Sequence, residues 1–196
     1  MAFASFVPPT QDTAPALALS RQLLLVVAPS WNSCSAQLQR FQRVRIDGDW
    51  QCVGAANAVS LGRSGLAWGR GLHGEVDGVG PEKREGDGRA PAGIFAITAL
   101  FGHAVPGSPF VRAAKLPYLC ATRDLKCVDD PASAHYNRIV DQTAIARPDW
   151  VSCEDMLRGD QRYAVGAVVG HNWAPVVPGA GSCIFLHVWA APGVPT

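Results

Sequence analysis

The residues with the clearest chemical potential lie toward the C-terminal end of the sequence. Gly181-Ser182-Cys183-Ile184-Phe185-Leu186-His187-Val188-Trp189 sets a hydroxyl, a thiol and an imidazole in an apolar run. These types supply the nucleophile and the general base of acyl-transfer chemistry. Read as a strand over 182–189, the run puts Cys183, Phe185, His187 and Trp189 on one face, and Ile184, Leu186 and Val188 on the other. Four strand steps separate Cys183 from His187 by about 13 Å, whereas a thiol–imidazole pair needs about 3 Å. Ser182 points to the opposite face. Cys183 is therefore expected to pack. His187 is either a core histidine whose ring nitrogens find backbone partners or a base whose nucleophile lies elsewhere.

Two further groups of residues stand out. Gly170-His171-Asn172-Trp173 closes an earlier strand candidate, and His171 approaches the His187 region if the two strands pair; otherwise it is a strand-end histidine at the surface. Lys83-Arg84-Glu85-Gly86-Asp87-Gly88-Arg89-Ala90-Pro91-Ala92-Gly93 puts two glycines around an acid, then a Pro-x-Gly turn. It reads as a tight charged loop delivering the chain into the core, or simply as a solvated turn. It lacks the G-x-x-x-x-G-K-[ST] spacing of a phosphate loop, and no helical pattern follows. Without H-E-x-x-H, His-x-His or C-x-x-C spacing, neither metal nor cofactor is expected.

The elements that must position these groups are mostly strands. Glycine (20) and proline (15) in 196 residues exceed their usual joint share of about 12%, so the chain turns often. With 48% hydrophobic and 17% charged residues it can build a core, and one domain suits its length. A net charge of +1 gives no field for nucleic acid or anionic lipid, and no apolar run approaches a membrane span of ~20 residues. Residues 1–20 read as a loose arm, followed by one domain over 21–196. The arm has no basic residue before Arg21 and is broken by Pro8, Pro9 and Pro15, unlike a signal peptide. Gln22 to Ala28, with the apolar run Leu23 to Val27, reads as a strand covered on both faces, ended by Pro29. Asp47-Gly48 predicts a type I′ hairpin turn. Further strands are expected over 93–101, 136–141, 163–171 and 182–189, and a short helix over 152–158 from Ser152 and Asp155. The six cysteines, at 34, 52, 120, 127, 153 and 183, read most plainly as free buried thiols, with a Cys120–Cys127 disulfide as the alternative.

These strings together resemble the YkuD-type L,D-transpeptidases, in particular a bacterial branch with a KREGDGR-x-PAG-x-F motif. The likeness runs in order from about residue 22 to the last. It rests on Lys83 to Phe95, Cys127-Val128-Asp129-Asp130-Pro131-Ala132-Ser133, Tyr136-Asn137-Arg138-Ile139-Val140-Asp141, Val168-Val169-Gly170-His171-Asn172, and Gly181 to Trp189. It implies a mainly β, two-sheet sandwich with one or two short helices. It also implies cysteine acyl transfer on peptidoglycan stem peptides, in the periplasm or cell envelope. His187 matches the family's base. His171, Asn172 and Arg89 are candidates for binding the stem peptide. In this branch Pro-x-x-Pro-Thr precedes the nucleophilic cysteine by a residue pair, and the sequence given ends at Pro195-Thr196. The nucleophile is thus expected beyond Thr196, an export signal upstream, and the 196 residues alone to be inactive. A monomer is expected, with no nucleic-acid partner and no stable membrane insertion. The other reading is a non-catalytic module of this fold that holds peptidoglycan or a partner.

Overall fold

The computed structural model describes residues 15–75 and 78–195. Twelve strands and one short helix follow in chain order: β1 Gln22–Val27, β2 Ser35–Gln42, β3 Gln51–Ser60, β4 Leu66–Trp68, β5 Ala90–Ala92, β6 Ile97–Gly102, α1 Pro109–Ala113, β7 Tyr118–Cys120, β8 Leu125–Val128, β9 Ile139–Asp141, β10 Cys153–Asp155, β11 Val165–Val169 and β12 Phe185–His187. The chain is mainly β, as expected. Among the described residues, no helix is long and apolar enough to cross a membrane.

Four sheets result, with orders β1-β2-β3, β10-β8-β9, β12-β11-β6-β7 and the parallel pair β4-β5. The main core joins the second and third. Phe101 from β6, Cys127 from β8, Met156 and Tyr163 are buried together, with Leu119, Ile139, Val168 and Phe185 packed around them. Phe101 meets Tyr163 and Phe185 edge-on, with centroids 5.3 and 5.0 Å apart, the arrangement aromatic quadrupoles favour.

Residues 1–14 of the expected arm lie outside the described part. Residues 15–20 are docked: Pro15–Leu17 makes one 3-10 turn and Leu17 is buried. The buried Arg43 holds them by donating to the carbonyls of Leu17, Ala18 and Ser20, while its guanidinium lies over the Trp50 ring.

Several local expectations are corrected. β1 is covered on one face only. Leu24 and Val26, 43% and 38% exposed, alternate with half-buried neighbours, because no described residue packs on the outer face of that sheet edge as on the inner. The hairpin between β2 and β3 exists, but Asp47-Gly48 does not form a two-residue turn. Gly48 donates to the Arg45 carbonyl from the last position of a turn inside an eight-residue loop, where no positive φ is needed. The predicted helix over 152–158 is β10 instead. The Ser152 hydroxyl donates to Asp129 rather than capping a helix, and Cys153, Glu154 and Asp155 pair with Val128, Cys127 and Lys126. Tertiary pairing overrides a weak local start signal. The α-helix is Pro109–Ala113, with Ser108 as its cap and proline at its first position.

The strand expected over 93–101 begins only at Ile97. Gly93 sits at φ 135°, and a Cβ there would meet the His73 ring at 2.1 Å, so the preceding residues are held as a loop against that imidazole.

The cysteine expectation is also overturned. Cys127 and Cys183 form a disulfide, and Cys34, Cys52, Cys120 and Cys153 are free, with Cys52 exposed. Sequence proximity favoured Cys120–Cys127, but core packing between the two sheets brings β8 against the segment leading into β12. Denatured without reductant, the chain should take four carbamidomethyl groups from iodoacetamide, and six after reduction; intact-mass spectrometry counts them.

Candidate functional site

β12 is an outer strand of the four-stranded sheet, with His187 paired opposite Gly166 of β11. It starts later than the predicted 182–189 run, after Cys183 takes a left-handed φ of 53°, and ends at His187, beyond which the Val188 N–H donates to the Arg162 carbonyl. The His187 ring stands edge-on to the Tyr163 ring at 5.2 Å. Its Nδ1 lies 2.8 Å from the Val188 carbonyl oxygen. A carbonyl only accepts, so in the neutral ring Nδ1 carries the proton and Nε2 keeps its lone pair. No described residue hydrogen-bonds Nε2. That is the tautomer a general base requires.

His171 is arranged in the opposite sense. It is 1% exposed. Its Nδ1 accepts from the Arg70 N–H at 3.2 Å and its Nε2 donates to the Ala180 carbonyl at 2.9 Å. Burial pushes its pKa below the ordinary imidazole range, against the opposing pull of that carbonyl. His171 lies five residues beyond Gly166 along the chain, roughly 16 Å at strand rise, so the pairing of β11 with β12 does not bring it to His187.

Asn172, also 1% exposed, uses both amide hydrogens on the Val177 and Gly181 carbonyls and accepts from the Val177 N–H. Arg89 donates to the carbonyls of Trp31 and Leu66 and to the Asn32 side chain. The polar atoms of all three expected substrate-binding residues thus serve the chain itself.

What holds the His187 strand is a polar network that joins the charged loop to Tyr136 and Ser182, partners the loop's own sequence does not reveal. Asp87, between Gly86 and Gly88 at φ 71° and 69°, folds the charged loop on itself. It accepts from the Lys83 ammonium at 2.6 Å and from the N–H groups of Arg84 and Arg89. Burial alone would raise the Asp87 pKa, but Lys83 and the two N–H donors win and hold it below the ordinary carboxylate range. The loop then reaches across. Glu85 Oε2 accepts from the Tyr136 hydroxyl and from the Ser182 hydroxyl at 2.6 Å, and the Glu85 N–H donates to the Gly179 carbonyl. Tyr136 in turn accepts from the Gly181 N–H at 3.1 Å. Gly181 is required there: at φ 96°, a Cβ would sit 3.0 Å from His171 Nε2 and 3.1 Å from Lys83 Cγ.

Asn137 completes the frame. At φ 58° it donates to the carbonyls of His171 and Asn172 and accepts from the Cys183 N–H. Cys183, the thiol nearest to His187 in sequence, is bonded to Cys127. The described residues therefore present an imidazole with an open Nε2 on a braced strand, and Cys183 has no free thiol to offer it. The signals for the missed residues were present: an acid between Lys-Arg and Gly-Asp-Gly, and an asparagine, a type that tolerates left-handed backbone, just before a strand.

No family model, curated protein or solved structure matches this chain.

Proposed function

We propose that this chain is the histidine-bearing part of a peptidoglycan L,D-transpeptidase. One observation carries the reading beyond the sequence resemblance: His187 Nδ1 is tied to a carbonyl, which leaves the Nε2 lone pair free at the end of an outer strand. In the reaction, Nε2 takes the proton of a cysteine thiol that follows Thr196. The thiolate attacks the carbonyl between the third and fourth stem residues, and backbone N–H groups hold the oxyanion. The imidazolium returns its proton to the departing amine, and an amine of a neighbouring stem then takes the acyl group from the thioester. His171 and Asn172 contribute as framework to the segment that leads to His187, and Arg89 ties the charged loop to Trp31, Asn32 and Leu66. The Cys127–Cys183 disulfide supports an oxidising compartment, hence the periplasm or cell envelope.

The test uses three proteins: the 196-residue chain, the product of its gene read past the Thr196 codon, and the His187→Ala form of that product. Each is incubated with a carbapenem and followed by intact-mass spectrometry. The longer product should gain one acyl adduct and the 196-residue chain none. His187→Ala should slow adduct formation by about 10²-fold or more, the usual contribution of a general base. Acylation of His187→Ala at the parent rate would remove the base assignment. A longer product that never acylates yet pellets with peptidoglycan would be a binding module instead.

A further inference from the structure

The Tyr136-Asn137-Arg138 run commits its first two side chains to the interior, Tyr136 to Glu85 and Asn137 to the carbonyls of residues 171 and 172. Arg138 is left over. It is exposed, and no described residue pairs with its guanidinium. It lines a cleft of about 280 Å³ between the β10-β8-β9 and β12-β11-β6-β7 sheets. The floor is aliphatic, made by Ala99, Leu119, Ile139 and Val168, and the indole of Trp173, 53% exposed, forms part of the wall. Among the described residues no carboxylate lines the cleft, and the two other strongly polar side chains there, Asn137 and His171, are already bonded to the chain.

An unpaired guanidinium beside an aliphatic floor complements an anion with an apolar body, and carboxylate geometry suits its fork of donors. The walls narrow the choice further. β7 and β9, which contribute Leu119 and Ile139, are both edge strands with a neighbour on one side only. Alternate backbone N–H and C=O groups of such strands face outward. A hydrocarbon chain would leave them unpaired, whereas an extended peptide can bond to them. The volume lies just below the range of ordinary ligand sites, ~300 to 1,000 Å³, and suits a terminal residue and part of the next.

We propose that this cleft binds the C-terminal end of an extended peptide whose last side chain is aliphatic. The terminal carboxylate sits on Arg138 and the side chain on the floor around Leu119 and Ile139. The proposal does not rest on the acyl-transfer reading. The cleft takes Val168 and the residues after it on β11, whereas His187 stands opposite Gly166.

The experiment titrates the 196-residue chain with three probes: N-acetyl-Ala-Leu with a free carboxylate, its C-terminal amide, and hexanoate. Amide NMR shifts and tryptophan emission report binding. The free dipeptide should saturate, with shifts centred on Arg138, Ile139, Val140 and Trp173. The amide should bind about tenfold more weakly or worse, as should the free dipeptide to Arg138→Gln, because each removes a charge-assisted hydrogen bond. Arg138 is exposed, so circular dichroism of Arg138→Gln should match the parent. Equal binding of the amide, an unchanged affinity in Arg138→Gln, or shifts elsewhere would overturn the proposal. So would binding of no probe at all. Hexanoate binding as tightly as the dipeptide would assign the cleft to fatty carboxylates and overturn the peptide.

Discussion

Replacing both Cys127 and Cys183 by alanine is expected to lower stability by about 4 kcal/mol, the entropy of closing a loop of this length in the unfolded chain. The two residues are 56 apart in sequence, and that span includes β8, β9, β10 and β11. The bond therefore ties the β10-β8-β9 sheet to the segment entering β12. At roughly 2–4 °C per kcal/mol for a chain of this size, the midpoint of thermal unfolding should fall by about 10 °C. A dithiol reductant should reproduce most of the shift in the parent and cause none in the double variant. The local consequence is as specific as the global one. Cys183 stands four residues before His187, so hydrogen exchange should rise at residues 183–188 in the variant well before global unfolding. A melting point indifferent to reductant would show that the two sheets hold without the bond.

The sequence made the alternation of β12, the mainly β class and the tight turn of the charged loop legible, because those features are local. Period-2 patterning marks Phe185 to His187 whatever surrounds it, and glycines around Asp87 force a turn in any fold. What it did not show depends on which strands meet. Ser152 and Asp155 are a fair helix start in isolation, yet three ladder pairings with β8 outweigh one capping bond. Cys120 and Cys127 are neighbours in sequence, yet the partner of Cys127 arrives from 56 residues away. Glu85 looks like one more charge in a solvated turn until Tyr136 and Ser182 are seen to converge on it. His171 had the look of a strand-end surface group, but it is among the most deeply buried side chains described. Its neighbour Asn172 belongs to the same enclosed set, and neither residue's burial can be read from a string that ends a strand candidate with Gly-His-Asn.

Glu85→Ala should destabilise the fold by about 3 kcal/mol at neutral pH. It leaves two enclosed hydroxyls, on Tyr136 and Ser182, without their shared acceptor, and each such loss costs about 1–3 kcal/mol. Glu85→Gln keeps an acceptor and should cost less. The pH dependence separates this from a packing defect. Burial first, and Glu85 second, push the Tyr136 pKa above its ordinary value. A raised folded pKa means stability that is complete below the unfolded value near 10 and is lost as pH rises above it. In the parent, Tyr136 resists ionising while the unfolded chain does not, so stability should fall above about pH 10. Removing Glu85 removes part of that resistance, so the variant should fall less steeply. The gap between parent and variant should be widest from pH 7 to 9 and shrink above 10. Urea unfolding across that range measures it. A gap that is constant with pH would mean that the loss comes from the cavity alone and that the Glu85–Tyr136 bond contributes nothing. Because the same carboxylate holds Ser182, which adjoins Cys183 and the His187 strand, the variant's alkaline behaviour also reports how firmly the charged loop braces the proposed base.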